Sequence, residues 1–230
     1  MQSPSKQFIT EITADSSPTL RLISSATEKP ESMHHSGGAA TETNYIYGEA
    51  ILKALNHQKN LQFLVVGLGL GYIEILISSL ADVAKIESYE VDDELRLNFA
   101  EWIKGSDQFE IYNEVCKSLK LDTVKIRKKL HAVNEININS ELSIHSTFKE
   151  KSNVICFDAF SQKTSGSLWT EDFLNYFIIS ACADDCLFTT YACTSLLKRV
   201  LIKNGFTLIK REGYAGKRES TLAVRGVFDC

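Results

Sequence analysis

The sequence predicts an α/β fold, a doubly wound and mostly parallel sheet that follows a short N-terminal β-hairpin. Apolar runs alternate with segments of helical periodicity between residues 41 and 204, which is typical of a parallel sheet flanked by helices. Glycines come directly after the first of the core strands, at Gly67, Gly69 and Gly71. The last two apolar runs have no helix between them, so they are expected to pair as an antiparallel hairpin.

Residues 1–40 are predicted to form an extension of the main domain. Residues 8–12 and 19–23 are predicted strands, and the turn-forming residues 15–18 between them indicate a hairpin. Residues 24–40 are polar and contain glycines, which predicts a loop. The main domain is expected over residues 41–230, and it begins with a helix over residues 41–56.

The main domain is predicted to alternate strands with helices. Strands are expected over residues 61–66, 85–90, 141–148, 153–158, 186–191, 206–210 and 220–225. A helix with a wide apolar face follows Gly71, and further helices are expected over residues 95–102, 106–132, 170–180 and 194–204. Asp92 or Asp93 is suited to cap the second of these helices, and Asn204 with Gly205 to end the last one.

The charge pattern leaves two interpretations open. The 230 residues carry a formal net charge of −4, which does not indicate a nucleic-acid-binding protein. Basic residues nevertheless outnumber acidic ones between residues 189 and 226. This stretch contains the acids Glu212 and Glu219 and the basic residues Lys198, Arg199, Lys203, Lys210, Arg211, Lys217, Arg218 and Arg225. A second basic run lies between Lys117 and Lys129. Each run is either a solvated helix face or a surface that contacts a phosphate backbone.

No secretory or membrane-spanning segment is visible in the sequence. Residues 1–10 are polar, and no window approaches the roughly 20 apolar residues that a membrane helix needs. The six cysteines lack the spacing of a disulfide framework, and Cys182 with Cys186 has no further ligands to complete a zinc site. A reducing compartment, the cytoplasm, is therefore expected, without a metal and without a membrane.

The glycine turn and Glu90 indicate a nucleotide-like cofactor. Glycines let the backbone approach a ligand closely, and a carboxylate about 20 residues further on, here Glu90, can accept hydrogen bonds from both ribose hydroxyls. The third glycine comes one residue earlier than in the pattern that receives a pyrophosphate. S-adenosylmethionine, which has no phosphate, fits this spacing better than a dinucleotide. The alternative is a tight strand-to-helix turn without a ligand.

A second candidate site lies at Asp158, where a buried strand ends. Ligands of open α/β sheets bind outside the carboxyl ends of the strands, so this carboxylate is expected to face the cofactor or the substrate. The polar loop 162–167 and Trp169 follow, which suits closure over a nucleobase, although Trp169 could equally anchor the next helix in the core. His34 and His35 are either a general base near the cleft or a loop-stabilising pair.

Several sequence blocks together resemble one known family, the MnmC-like methyltransferases that complete 5-methylaminomethyl-2-thiouridine at the wobble position of tRNA. These blocks are residues 41–47, the glycine turn, residues 158–160 with Leu168 and Trp169, and a tail from Thr189 through Gly205 to Glu219. Some family members carry an additional flavin-dependent oxidase domain. The chain resembles the form without it, and a separate oxidase is then expected in the same pathway.

The resemblance implies a fold, a reaction and a set of site residues. The fold is a seven-stranded Rossmann-like methyltransferase sheet with an antiparallel C-terminal strand and an N-terminal β-hairpin extension. The reaction is methyl transfer from S-adenosylmethionine to the aminomethyl nitrogen of the tRNA uridine. The implied roles are catalysis for Asp158, cofactor binding for Gly67, Gly69, Gly71, Glu90, His145 and Ser146, and tRNA or base binding for Tyr47, Trp169, Tyr191, Lys217 and Arg218. Relatives carry a Gly-Asp pair beside adenine, and the corresponding residues 143–146 contain no acid. Either His145 or Ser146 takes that place, or adenine is held mainly by packing.

Two other functions remain open from the sequence. A small-molecule transferase of the polyamine synthase type also uses a glycine turn, a ribose-binding acid and an aspartate at a strand end. A catalytically silent RNA-binding protein could keep the fold without binding a cofactor. Transfer of a labelled methyl group to tRNA would favour the tRNA methyltransferase, and a preference for putrescine would favour the polyamine enzyme.

Overall fold

A computed structural model describes residues 7–23, 30–82, 84–132, 135–216 and 219–229. The predicted phosphate contacts Lys217 and Arg218 lie outside the described residues. The strands are β1 (Gln7–Ile12), β2 (Pro18–Ile23), β3 (Glu31–Ser32), β4 (Gln62–Val66), β5 (Lys85–Tyr89), β6 (Glu135–Asn139), β7 (Ser152–Phe157), β8 (Cys182–Thr190), β9 (Thr207–Ile209) and β10 (Thr221–Arg225).

Seven of these strands form one twisted sheet in the order β6-β5-β4-β7-β8-β10-β9. The pairs among β6, β5, β4, β7 and β8 are parallel, and β10 lies antiparallel between β8 and β9. The order reverses at β4, so the crevice at its carboxyl end is a topological switch point where ligands bind in such sheets. The predicted doubly wound sheet with an antiparallel C-terminal strand is confirmed.

Helices cover both faces of this sheet. They are α1 (Ala39–Thr43), a π-helical segment (Asn44–Gly48), α2 (Glu49–His57), α3 (Tyr72–Leu80), α4 (Asp93–Lys104), α5 (Glu110–Ser118), α6 (Thr123–Ala132), α7 (Glu171–Ala181) and α8 (Ser195–Lys203). Asp92 begins α4, because its side chain accepts a hydrogen bond from the Leu95 amide at 3.0 Å, as one of the two predicted caps.

Alternate residues of the central strands divide the core into two layers. In β4, Phe63 and Val65 face the layer of α2, α3, α4 and α6, whereas Leu64 and Val66 face the layer of α7 and α8. This two-residue alternation is the geometry of a strand that is buried on both faces. Apolar residues are therefore needed at consecutive positions, which explains the continuous apolar run in the sequence.

The N-terminal extension is a three-stranded antiparallel sheet whose β1–β2 turn caps α1. The Ala39 amide donates to the Ser17 hydroxyl at 2.9 Å, and the Thr41 amide donates to the Asp15 carboxylate at 3.0 Å. Burial alone would raise the pKa of Asp15, but hydrogen bonds from Ser17, Thr41 and Thr13 lower it to about 2. The predicted hairpin is confirmed, and β3 adds a short strand within the segment that was predicted to be a loop.

The prediction of a strand over residues 141–148 is wrong. The edge strand is β6, in which Ile136 and Ile138 alternate with polar residues and pack on the core. Residues 141–148 contain a turn instead, in which the Ser143 amide donates to the Ser146 hydroxyl at 2.9 Å and the Ser146 amide to the Ser143 carbonyl at 3.1 Å. Local serine hydrogen bonds compete with ladder formation in this segment.

Glu74 is a fully buried acid beneath the glycine turn. The Ser88 hydroxyl donates to its Oε1 at 2.6 Å, and its Oε2 has no hydrogen-bond partner among the described residues. Burial raises the pKa of Glu74 to about 8 although the Ser88 hydrogen bond lowers it. Because the folded-state pKa lies above the unfolded value of 4.5, the stability linked to this proton is complete below pH 4.5 and is lost as the pH rises through about 8.

Replacing Glu74 with Gln is therefore expected to flatten the pH dependence of stability. Between pH 5 and pH 9 the wild type should lose of order 3 kcal/mol more unfolding free energy than the variant. At pH 5 the variant should be less stable, because the buried amide adds donors without partners. Urea unfolding at both pH values measures the effect, and the exposed Glu94→Gln serves as the control. Parallel pH curves for wild type and Glu74→Gln would contradict a neutral buried carboxyl.

Candidate active site

A cavity of about 550 Å³ opens at the carboxyl end of the parallel sheet. Residues that directly follow five neighbouring strands line it: Ser140 after β6, Glu90 after β5, Gly67 after β4, Asp158 after β7 and Tyr191 after β8. Its size is that of a pocket for a drug-sized ligand or cofactor. The sheet thus brings together the glycine turn, Glu90 and Asp158, as expected from the sequence.

The glycine turn between β4 and α3 requires glycine at Gly67. Its φ is +94°, and a Cβ added there would lie 2.6 Å from the Asp158 carbonyl oxygen. Gly71 has a φ of +67°, and an added Cβ would lie 2.3 Å from the Phe99 ring. Gly67 and Gly69 line the cavity, so the backbone of the turn forms a cradle there, whereas Gly71 lets the turn pack closely on Phe99 in the core.

Backbone amides fix the Glu90 carboxylate in the cavity wall. The Gly69 amide donates to Oε2 and the Asp92 amide to Oε1, each at 3.0 Å. Each carboxylate oxygen can accept a second hydrogen bond, so the pair of oxygens suits two vicinal hydroxyls such as those of a ribose. The same contacts join the glycine turn to the start of α4, which couples the shape of the cradle to the position of the acid.

Glu90→Gln is expected to weaken S-adenosylmethionine binding by about 10- to 100-fold, the range typical for loss of a charged hydrogen-bond acceptor. The amide group also has to place donor hydrogens against the Gly69 or Asp92 amide, which disturbs the cradle. Calorimetric titration measures the dissociation constant, and Glu94→Gln on the exposed face of α4 is the matched control. An unchanged constant in Glu90→Gln would remove Glu90 from the cofactor site.

The Asp158 side chain lines the same cavity and is held there by Tyr47. The Tyr47 hydroxyl donates to Asp158 Oδ1 at 2.5 Å, and the Asp158 amide donates to the Val66 carbonyl at 2.7 Å. Burial, together with the negative charge of Asp158 and this hydrogen bond, raises the pKa of Tyr47 well above its usual value. Tyr47 is therefore a permanent proton donor to the carboxylate. Tyr191 lies beside them, and its hydroxyl donates to the Ala159 carbonyl at 2.9 Å.

The N-terminal extension covers the cavity with a strap, residues 31–36. Glu31 accepts hydrogen bonds from the Ser161 amide at 3.0 Å and the Ser161 hydroxyl at 3.1 Å, and it also bonds the Thr164 hydroxyl. Met33 packs close to Gly69, where an added Cβ would lie 3.0 Å from its sulfur. The strap thus connects the loop after β7 with the glycine turn across the cavity.

His34 and His35 belong to this strap and are engaged in local contacts. Thr19 Oγ1 lies 2.9 Å from His34 Nδ1, and burial lowers the pKa of His34 to about 4 although Asp15 raises it. His35 Nδ1 accepts from the Gly37 amide at 3.0 Å, and the His35 amide donates to Glu42. These contacts favour the loop-stabilising interpretation over a general base.

A family comparison identifies the chemistry of this cavity. A family model described as S-adenosyl-L-methionine-dependent methyltransferase matches residues 89–226, which is more than half of the chain.

The chain belongs to this methyltransferase family.

This membership confirms the MnmC-like resemblance and the S-adenosylmethionine cofactor that the sequence predicts. The methyltransferase is 25% identical over 201 residues to an uncharacterized protein of Methanocaldococcus jannaschii, covering 87% of the chain and 56% of that protein. The chain therefore spans little more than half the length of this curated relative.

Solved structures share the fold of the methyltransferase. MNMC2 from Aquifex aeolicus matches with a TM-score of 0.68 at 21% identity, over 97% of this chain and 72% of that one. Spermidine synthase from Thermotoga maritima matches with a TM-score of 0.57 at 16% identity, over 99% and 72%. Human methyltransferase-like protein 13 in complex with SAH matches with a TM-score of 0.51 at 18% identity, over 81% and 82%.

Four predicted site residues of the methyltransferase lie away from the cavity lining. Gly71 adjoins the Phe99 ring in the core instead. Trp169 is buried in the α7 and α8 layer, where its Nε1 donates to the Phe160 carbonyl at 2.7 Å, so the core-anchor alternative describes its position. His145 and Ser146 lie in the turn that replaces the predicted strand, and they do not line the cavity. The segment after β6 that does line it is residues 140–142.

The cavity is acidic, a property that no single stretch of the sequence reveals. Carboxylates from five elements line it, namely Glu31, Glu42, Glu90, Glu141 and Asp158, and the described lining contains no Lys or Arg. Glu42 and Tyr47 lie within the block of residues 41–47 that carries the resemblance, which is the one signal that pointed to this helix. An acidic cavity suits positively charged ligands such as a sulfonium and an amine.

Part of the C-terminal basic run has a structural role. Arg225 donates to the Ala183 carbonyl at 2.6 Å and to the Asn204 carbonyl at 2.9 Å. Lys198 pairs with Glu219, and Arg199 pairs with Glu171. Arg225 is therefore held by backbone carbonyls of the fold, whereas Lys198 and Arg199 form ion pairs at the surface.

Among the described residues, none of the helices has the length and apolarity to cross a membrane.

Proposed function

We propose that the methyltransferase transfers a methyl group to the aminomethyl nitrogen of the tRNA wobble uridine, converting 5-aminomethyl-2-thiouridine to 5-methylaminomethyl-2-thiouridine. The observation that carries the proposal is the Asp158–Tyr47 pair in the same cavity as Glu90, among carboxylates and with no Lys or Arg in the described lining. Such a cavity favours a cationic amine as the acceptor. The MNMC2 similarity is consistent with the proposal at the level of the fold.

Asp158 activates and orients the acceptor amine in this proposal. An alkyl ammonium with a pKa near 10 has no lone pair for attack, so the site has to accept its proton. The Tyr47 hydrogen bond holds Oδ1, which leaves the carboxylate oriented to accept a hydrogen bond from the amine. Bound S-adenosylmethionine supplies an electrophilic methyl on a cationic sulfur. The nitrogen forms the new C–N bond as the C–S bond breaks, and the amine proton passes through Asp158 to solvent.

The proposed cofactor contacts come from residues that lie just after the strands in the chain. Gly67 and Gly69 line the cavity and would adjoin the methionine part, and Glu90 would bind the ribose hydroxyls. Gly71, predicted as a third cofactor contact, would shape the turn through its packing on Phe99. We assign the adenine contact to residues 140–142 in place of His145 and Ser146, because Ser140 and Glu141 directly follow β6 and line the cavity. Ser140–Glu141 then occupies the position at which relatives of the resembled family carry Gly-Asp.

The proposed contacts to the tRNA base lie on the acceptor side of the cavity. Tyr47 and Tyr191 line the acceptor side, close enough to Asp158 to contact a uridine that has been extruded from its stack. Lys217 and Arg218 remain predicted phosphate contacts outside the described residues. A separate flavin-dependent oxidase in the same pathway also remains a prediction.

Methyl transfer to defined tRNA tests the proposal. Purified protein is incubated with labelled S-adenosylmethionine and tRNA that carries 5-aminomethyl-2-thiouridine, and the nucleosides are then analysed by mass spectrometry. We expect one nucleoside to gain a single methyl mass, and tRNA with unmodified wobble uridine to gain none. No methylated nucleoside, with confirmed cofactor binding, would overturn the tRNA substrate but not the methyltransferase assignment.

A polyamine-type acceptor is the second candidate, and the acidic cavity specifically favours it. Glu31 and Glu42 line the same cavity as Asp158, and separated carboxylates suit a molecule with several ammonium groups. Calorimetry with putrescine and with tRNA separates the candidates. Tight putrescine binding and transfer from decarboxylated S-adenosylmethionine would favour this function, whereas tRNA binding that weakens steeply with salt would favour the first.

A further inference from the structure

The π-helical segment Asn44–Gly48 lies next to the active site and contains the cavity-lining residue Tyr47. The Glu49 amide donates to the Asn44 carbonyl five residues earlier, where an α-helix would bond four residues earlier. Isolated π-turns of this kind are rare and occur frequently at functional sites. Here the turn lies between α1 and α2 and contains Tyr47, the residue that hydrogen-bonds Asp158.

Two side chains, one on β8 and one after β9, hold this turn by hydrogen bonds to a single carbonyl. Ile46 O accepts from Thr189 Oγ1 and from Arg211 Nη1, each at 2.8 Å. This carbonyl belongs to the peptide group that joins Ile46 to Tyr47, so the clamp acts directly before the tyrosine. Arg211 Nη2 also donates to Thr189 Oγ1 at 3.1 Å, which closes a three-membered hydrogen-bond network.

The remaining donors of Arg211 fix the guanidinium to the C-terminal strands. Nε donates to the Ser220 hydroxyl at 2.8 Å, and Nη2 donates to the Thr221 carbonyl at 3.1 Å. A guanidinium offers several donors in one rigid plane and stays charged at the pH of any enzyme assay, so the clamp is insensitive to pH. Lysine has a single donor nitrogen, so it cannot reach all of these acceptors at once.

We propose that Arg211 is a positioning residue for methyl transfer, which acts through the Ile46 carbonyl to hold the Tyr47 hydroxyl on Asp158. This inference rests on the proposed role of Asp158 for its effect on turnover. The residue touches neither the cavity lining nor Asp158 directly among the described contacts. In this proposal Arg211, a member of the C-terminal basic run, supports the active site through the backbone and does not contact a phosphate.

A double-mutant cycle tests the coupling between Arg211 and Tyr47. Arg211→Met should lower kcat by about 10-fold, because small displacements at a reacting centre have effects of this size or larger. The dissociation constant for S-adenosylmethionine should change by less than about twofold, since Glu90 and the glycine turn lie elsewhere in the cavity. In a Tyr47→Phe background, the same Arg211→Met change should lower kcat by less than about twofold. Equal effects in both backgrounds would overturn the proposal.

Two further variants separate positioning from general stability. Arg225→Met removes a guanidinium that bonds backbone carbonyls elsewhere in the basic run and leaves both donors to Ile46 O, so its kcat should stay within about twofold of wild type. Arg211→Lys keeps one cationic donor and should recover part of the lost kcat. If Arg211→Met does not fold, Thr189→Val removes the second donor to Ile46 O and should lower kcat with the same dependence on Tyr47.

A crystal structure of Arg211→Met decides the structural claim without any substrate. The Tyr47 Oη to Asp158 Oδ1 distance should exceed about 3.5 Å, the limit of a hydrogen bond. A distance that stays near 2.5 Å would overturn the positioning role. If wild-type protein methylates no tRNA, the proposed substrate fails, while this distance still supports or refutes the clamp.

Discussion

Asp158→Asn is expected to lower kcat for methyl transfer by about 10³-fold, within the range attributed to general acid–base groups. An amide cannot take the proton that the acceptor nitrogen has to lose. Its carbonyl oxygen can still accept the Tyr47 hydrogen bond, so the local geometry should persist. Affinity for S-adenosylmethionine should change by less than about threefold, because Glu90, the proposed ribose contact, is untouched.

Single-turnover assays with labelled cofactor measure this effect apart from product release. Asp172→Asn, at an exposed position in the first turn of α7, is the matched control and should retain wild-type turnover. If Asp158→Asn turned over at the wild-type rate, the proton acceptor would have to be another group. Loss of cofactor binding in this variant would show instead that Asp158 belongs to the cofactor site.

Gly67→Ala is expected to have the largest effect on stability, about 3 kcal/mol or more, because a strained backbone and a backbone clash act together. The added methyl would lie 2.6 Å from the Asp158 carbonyl oxygen, and φ is +94° at this position. The contacted atom is backbone, next to the amide that bonds the Val66 carbonyl at 2.7 Å, so relief requires β4 and β7 to move apart. Cofactor binding should be lost, and Asp158 should be displaced.

Urea unfolding and cofactor titration of Gly67→Ala measure both consequences. Gly166→Ala is the control, because a Cβ there meets no atom within 4 Å, and its stability should stay within about 0.5 kcal/mol of wild type. Similar stabilities for the two variants would contradict the close packing of the glycine turn against the end of β7.

The parts of the site that lie within single local patterns could be predicted from the sequence. Gly67, Glu90 and Asp158 each follow a buried strand directly, and parallel strand ends meet at one edge of a sheet. The edge strand β6 could not be predicted in the same way, because residues 135–139 and 141–148 both alternate apolar and polar residues. Pairing with β5 decides between them, and that contact spans about fifty residues of chain.

Contacts between distant segments explain the other differences. Tyr47 was predicted to contact a base, and its hydrogen bond to Asp158 joins residues 111 positions apart, which no local pattern encodes. Glu31 lies in a segment that was predicted to be a loop, and its role in the strap depends on Ser161. Trp169 had two open interpretations because a large aromatic residue after a loop fits a pocket and a core equally well.

The cap that the β1–β2 turn places on α1 has a practical consequence for anyone who shortens this protein. Asp15 and Ser17 contribute no group to the cavity lining, yet they satisfy the first amides of the helix that leads into Tyr47. A version trimmed to begin at residue 41 would keep every proposed catalytic side chain. It would also lose the first two residues of that helix together with the strap, so screening of truncated forms should score turnover and not solubility alone.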